Sequence, residues 1–202
     1  MRKTLIYILH TSLIKENYSH VLSILDEKRR DKAERCINEK DRLLSLGAGY
    51  LLKKFLPPKE IQKTENGKPY FDEGPFFNLS HSEEYVVLAI HEDFDVGVDI
   101  ERINEKKVDA IKCILSDEEK DIEDINTLFR MWSNKESIIK CISTGLKDIR
   151  NVNGLPLEGL RIINGKEYFT KSMIYEDYSL SITLNAKEQF DVEINQVNDL
   201  KI

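Results

Sequence analysis

The stretch EYVVLAIHEDFDVGVDIE, residues 84–101, constrains the fold more than any other part of the chain. It holds two short runs rich in Val, Ile and Leu, separated by the polar residues Glu92 to Asp95. Branched apolar residues in runs this short favour strands, and the polar break between them reads as a hairpin turn. The second run, VGVDIE, carries two carboxylates, Asp99 and Glu101. Residues two apart in a strand share a face, so both point the same way, together with Gly97, while Val98 and Ile100 face a core. The bare glycine leaves room for a ligand to approach the backbone. Two like charges this close repel, and a hard cation such as magnesium, which prefers oxygen ligands, would offset them. On these two residues alone, the simpler reading is a solvent-facing strand whose charges discourage edge-to-edge association.

The flanking segments supply helices and further strands. TLIYIL, near the start, is an opening strand, too short in its apolar core for a signal peptide. Residues 26–56 carry helical spacing, best divided into two helices, with Asn38 and Asp41 placed to cap the second. Pro57 and Pro58 end it. Asn66-Gly67 and Asn164-Gly165 supply tight turns. Ser116 and Glu119 form a capping box that opens a helix at LSDEEKDI, and TLFRMWSNKESIIKCI is a further helix. NGKPYF and NGKEYF lie about half a chain apart, each ahead of a β-rich run, which suggests duplication of an αβ unit.

The net charge of −6 argues against general nucleic-acid binding. The charge is uneven: residues 1–70 hold 15 Lys and Arg against 9 Asp and Glu, and the remainder hold 15 against 27. A basic first third suits an anionic ligand, or simply a solvated helix. No apolar run reaches the roughly 18 residues of a membrane span. Cys36, Cys113 and Cys141 are odd in number and far apart, without metal-ligand spacing, which fits a reducing cytoplasm.

Two other clusters can carry chemistry. In WSNKESIIK, residues 132–140, Glu136 and Lys140 are four apart and share a helical face. They make either an exposed ion pair worth roughly 0.2–0.5 kcal/mol or an oxygen ligand or base beside a phosphate-neutralising cation. Trp132, the only tryptophan, anchors that helix in the core. In FNLSHS, residues 77–82, Ser80 and His81 precede the first β-rich run, and Lys68 sits near the Asn66-Gly67 turn.

Taken together and in this order, NGKPYF, FNLSHS, VGVDIE and WSNKESIIK resemble the motifs of the 4′-phosphopantetheinyl transferases, in the monomeric class that activates surfactin synthetase and related carrier-protein systems. That signature runs [VI]-G-[IV]-D-x-E and then W-[ST]-x-K-E-[AS]-x-x-K, and the likeness spans roughly residues 25–146. The chain departs at KCISTGL, where Ser143 stands at the first glycine of the family's K-x-x-G-x-G-L.

The resemblance implies an α+β fold of two similar αβ subdomains related by a pseudo-two-fold, residues 1–103 and 104–202, with the active site in the cleft between them. It implies Mg2+-dependent transfer of 4′-phosphopantetheine from coenzyme A to a serine of an apo acyl or peptidyl carrier protein, releasing 3′,5′-ADP. Asp99, Glu101 and Glu136 would hold the metal; Glu136 and Lys140 would be catalytic. Lys28, Lys32, Arg42, Lys68, Ser80, His81, Lys135 and Lys140 would contact coenzyme A, with Lys68, Ser80 and His81 at the nucleotide end. A cytoplasmic monomer is expected, with no nucleic-acid or membrane partner. The rival readings are a non-catalytic module that holds the carrier or coenzyme A, and a magnesium-dependent hydrolase of nucleotide pyrophosphates. Retention of Asp99, Glu101, Glu136 and Lys140 argues against the first.

Overall fold

The structure, a computed structural model, describes residues 3–116 and 119–201. It is an α+β fold with two four-stranded sheets. Strands β1 (Thr4–His10), β4 (Phe76–Ser82), β5 (Tyr85–His91) and β10 (Val192–Gln196) form the first sheet, in the order β10-β1-β5-β4. Strands β6 (Val96–Arg102), β7 (Glu158–Ile163), β8 (Lys166–Tyr175) and β9 (Tyr178–Leu184) form the second, in the order β6-β9-β8-β7. A two-stranded ribbon, β2 (Gln62–Lys63) with β3 (Pro69–Tyr70), closes over the Asn66-Gly67 turn.

Side-chain alternation explains how the sheets stack. On β1, Ile6 and Ile8 join Tyr85, Val87 and Ala89 of β5 in a core shared with Val96, Val98 and Ile100 of β6 and Leu180, Ile182 and Leu184 of β9. The opposite face of the first sheet, with Leu9, Val86, Leu88 and Ile90, packs on the helix α4 (Glu39–Phe55). β5 is therefore buried along its whole length, as its unbroken apolar run requires.

The helical segment 26–56 divides as expected into α3 (Glu27–Glu34) and α4, after the short helices α1 (Thr11–Glu16) and α2 (Tyr18–Ile24). Asn38 caps α4 by accepting the Asp41 amide at 2.8 Å, and acidic Glu39 and Asp41 in the first turn oppose Lys53 and Lys54 in the last. The helix α6 (Ile125–Ile142) is capped by Asp124, which accepts the Thr127 amide at 2.7 Å. Between β6 and α6 lie a 3-10 turn, Glu105–Lys107, and the helix α5 (Val108–Lys112). The expected helix at LSDEEKDI falls partly on Asp117 and Glu118, outside the described residues. Glu119 does accept the Ser116 amide at 2.8 Å, as a capping box requires, yet residues 120–121 are a turn and residue 122 is irregular. No helix among the described residues is long and apolar enough to cross a membrane.

The expected hairpin at residues 84–101 does not form. β5 pairs with β1 and β4, whereas β6 pairs along its length with β9. His91 explains the departure: its Nδ1 accepts the amides of Asp93 and Phe94, both at 3.1 Å, and holds a bend that carries the chain out of the first sheet. β10, near the other end of the chain, adds in parallel to β1. Each sheet thus holds a strand from the other side of residue 103.

β4 and β6 lie side by side without a backbone ladder. The side chains of Asn78, Ser80 and Ser82 accept the amides of Val98, Ile100 and Arg102 at 3.1, 3.3 and 3.1 Å. Three short polar residues at a two-residue period satisfy the outer edge of β6 and join the two sheets.

Candidate active site

The site forms where β4, β6 and α6 meet. Gly97 explains how α6 reaches β6. A Cβ there would run into the Ser137 carbonyl oxygen and would lie 2.5 Å from the Cys141 amide nitrogen. The bare position therefore admits the helix backbone rather than a ligand, which corrects the sequence reading. Hydroxyls complete the contact: Ser133 meets Ser179 and Ser181 at 2.5 and 2.7 Å, and Ser137 meets Thr183 at 2.8 Å. α6 thus lies close against β6 and β9, with Glu136 and Lys140 beside Asp99.

Asp99 is buried. Its Oδ1 accepts from Ser80 Oγ at 2.8 Å and from Lys140 Nζ at 2.6 Å, while its Oδ2 is buried with no partner. Lys140 Nζ also lies 2.9 Å from Ser80 Oγ and 3.7 Å from Glu136 Oε2. Lys140 is therefore held by Asp99 first and by its helix neighbour second, and it is not a solvated member of an exposed pair. Glu101 is paired with Lys107 on the 3-10 turn that follows β6.

The charges shape one another. Burial, and then the charges of Asp99 and Glu101, push the Glu136 carboxyl up to about 7 against the opposing pull of Lys140. Burial also raises Glu101, which Lys107 partly offsets. For Lys140 burial alone would lower the pKa, and Asp99, Glu136 and Glu101 together outweigh it and raise it. A group of carboxylates that discourages its own ionisation is a place where added positive charge is stabilised. Among the described residues no three His, Cys, Asp or Glu side chains converge as a ready metal cage. The donors present still suit a hard cation: they are carboxylate oxygens, and Asp99 Oδ2 is buried without a hydrogen bond.

The remaining expected residues separate. His81 alternates with Ser80 on β4 and faces away from Asp99, into a cavity of about 570 Å³ lined also by Arg29, Lys32, Lys63, Leu44 and Leu52. Crowding by the surrounding protein and, after it, Lys140 keep the His81 imidazole below its ordinary pKa. Burial, followed by the charges of Arg29 and Lys63, lowers Lys32. A lysine lowered by the cations beside it marks a wall suited to an anion. Lys28 is exposed and lines an adjoining outer groove with Arg35 and Lys59. Arg29 and Lys63 were missed by sequence reasoning. Arg29 shares a helical face with Lys32 at i,i+3, which was a usable signal; nothing in the sequence marks Lys63.

Arg42 donates to the Cys36 carbonyl at 3.2 Å and ties α3 to α4. Lys68 donates to the Cys141 carbonyl at 2.9 Å and to Asp95 at 3.2 Å, and it lines a second cavity, about 290 Å³, with Asn78, Glu136 and Lys140. Lys135, expected among the coenzyme contacts, is 0% exposed and pairs with the equally buried Glu119 at 2.6 Å. One residue along a helix turns the side chain by about 100°, so Lys135 points away from the face that carries Glu136. Glu119 also accepts the Gly154 amide at 2.6 Å. Trp132 is partly buried between two small apolar clusters flanking α6.

The family profile described as the 4′-phosphopantetheinyl transferase superfamily matches residues 95–192. The 4′-phosphopantetheinyl transferase gsp of Aneurinibacillus migulanus is 32% identical over 144 residues, 64% of this chain and 60% of that protein. A putative 4′-phosphopantetheinyl transferase of Haemophilus influenzae is 32% identical over 108 residues, 48% of this chain and 46% of that protein. The L-aminoadipate-semialdehyde dehydrogenase-phosphopantetheinyl transferase of Xenopus laevis is 30% identical over 112 residues, 43% of this chain and 36% of that protein. The matched stretches thus span between about a third and three fifths of these relatives.

Proposed function

We propose that this chain, whose residues 95–192 match the profile of the 4′-phosphopantetheinyl transferase superfamily, transfers 4′-phosphopantetheine from coenzyme A to a serine hydroxyl of an apo carrier protein. The observation that carries the reading is Lys140 within ion-pair distance of both Asp99 and Glu136, on the cavity it lines with Lys68, which shares Gly67, Pro69 and Leu79 with the cavity walled by Arg29, Lys32, Lys63 and His81.

The serine oxygen forms a bond to the β-phosphorus of coenzyme A. The bond from that phosphorus to the bridging oxygen breaks, and its electron pair leaves with 3′,5′-ADP. The serine proton passes to Glu136, the carboxylate 3.7 Å from Lys140. Lys140, held rigidly by Asp99 and Ser80, sets a positive charge where negative charge grows on the leaving nucleotide. Asp99, Glu101 and Glu136 would hold a magnesium ion, which when bound supplies further positive charge against the pyrophosphate. Ser80, with its hydroxyl engaged by Asp99, Lys140 and the Ile100 amide, positions the first two rather than touching nucleotide. His81, Lys32 and Arg29 would receive the nucleotide end, with Lys28 on the outer groove. The reading extends to a cytoplasmic monomer, consistent with three free cysteines.

The test is incubation with coenzyme A and apo carrier proteins of the fatty-acid, polyketide and non-ribosomal-peptide classes, read by carrier mass and by release of 3′,5′-ADP. A phosphopantetheine mass gain on at least one carrier is expected, and Glu136→Ala should abolish it. Release of 3′,5′-ADP without any carrier would mark a hydrolase instead. No product with any carrier would leave a binding module.

A further inference from the structure

Glu101 is the carboxylate of the three that is assigned a different counter-ion. Asp99 and Glu136 share Lys140, whereas Glu101 is paired with Lys107. The backbone that carries Lys107 is fixed. Asn104 Oδ1 accepts the Lys106 amide at 3.0 Å, and the Lys107 amide donates to the Asn104 carbonyl at 2.9 Å, closing the 3-10 turn directly after β6. The side chain itself reaches solvent: it is 43% exposed, against 17% for Glu101. The ammonium thus covers the solvent side of an enclosed carboxylate.

We propose that Lys107 is a tethered counter-ion that competes with the divalent cation for Glu101 and so sets the affinity of the site for that cation. The inference rests on the reading of Asp99, Glu101 and Glu136 as metal ligands. An enclosed carboxylate with no positive charge nearby is costly, and Lys107 lowers that cost before a metal arrives. A protonated amine has donors but no lone pair, so Lys107 cannot join the ligand set. The ammonium and a dication therefore repel each other across one carboxylate, and entry of the ion displaces the lysine toward solvent. Lys107 lies past the end of VGVDIE, at a position the motif does not specify, so divalent affinity is tuned here by a residue outside the signature.

The test is calorimetric titration of Mg2+ and Mn2+ into the full chain without coenzyme A, for wild type, Lys107→Met, Lys107→Arg and Asp99→Asn. Lys107→Met should bind either ion roughly three- to ten-fold more tightly, the range for losing one partly screened repulsion. Lys107→Arg, which keeps the charge, should stay within about two-fold of wild type. Asp99→Asn should bind at least about ten-fold more weakly. Unchanged or weaker binding in Lys107→Met, with binding still weakened in Asp99→Asn, overturns the competition and leaves the metal reading standing. Wild-type affinity in Asp99→Asn overturns both.

Discussion

Lys140 shows how one contact changes the meaning of a residue. At i,i+4 from Glu136 the sequence allowed an exposed pair, for which truncation costs a few tenths of a kcal/mol. Its 2.6 Å contact with buried Asp99 changes the expectation. Lys140→Ala leaves Asp99 without its counter-ion, so it should lower stability by about 1–3 kcal/mol and turnover by roughly 10²–10³. Denaturant melts and single-turnover rates on the folded fraction separate the two; a wild-type melting midpoint would contradict the contact. Glu136 gives a second residue-scale prediction. Burial is the first cause of its raised pKa and the charge of Asp99 the second. Asp99→Asn should therefore bring the Glu136 carboxyl down from about 7, seen by carboxyl-carbon NMR in metal-free protein; a Glu136 titration unmoved by the change would remove Asp99 from its environment. The strand period put Asp99 on one face with Glu101, and the helix period put Glu136 with Lys140; joining the two faces into one site came from the order of the motifs. Lys135 was not legible, since a motif names neighbours without saying which of them turns inward.

Element scale is where α6 acquires its position. Three devices fix it: close approach at Gly97, the C-terminal cap, and the buried pair with Glu119. Gly97→Ala forces a methyl group into the helix backbone and should cost about 1–3 kcal/mol, more than a surface glycine change, by overpacking. The cap is Ser143, in the left-handed region at φ 60°, ψ 34°, with its hydroxyl 3.0 Å from Thr64 Oγ1 and its carbonyl accepting Asn66 Nδ2 at 2.6 Å. The departure from the family glycine is thus compensated by a hydrogen bond to the β2–β3 ribbon, a partner no local reading of KCISTGL could supply. At Glu119 burial on its own would raise the pKa; the Lys135 bond and the amides of Gly154 and Ser116 outweigh it, so the folded value lies below the ordinary one. A depressed carboxyl stabilises the fold above its unfolded pKa, about 4.3, and that stability is lost as pH falls through the folded value. Glu119→Gln should therefore be destabilised at pH 7 and lose less than wild type on acidification below about pH 4; parallel losses in urea melts would take Glu119 out of the acid response.

At the scale of the whole molecule, the strand and helix content was legible because the apolar runs are short and the helical segments carry their own caps. The pairing was not. Residues 84–101 read as a hairpin since adjacent strands usually pair, and only the His91 bend and the Ser-Thr face offered by α6 and β9 send β6 elsewhere. The consequence reaches across the chain. β6 contributes Val96, Val98 and Ile100 to a core it shares with β9 of the second sheet, while β10 supplies the outer partner of β1 in the first. A division at residue 103 would leave residues 1–103 with β6 unpaired and with the β1 edge that faces β10 uncovered. It would leave residues 104–202 without the strand that borders β9. Unpaired edges and half-exposed core faces of that kind are not stable in water. The two pieces expressed separately should therefore be unfolded or aggregated, and the intact chain should unfold in one cooperative transition. Trp132, on α6, reports the packing of that helix beside the second sheet by fluorescence, and far-ultraviolet circular dichroism reports both sheets. Coincident urea transitions by the two probes are expected, whereas two separated midpoints, or a soluble 1–103 fragment with native-like sheet signal, would show that the sheets fold without exchanging strands.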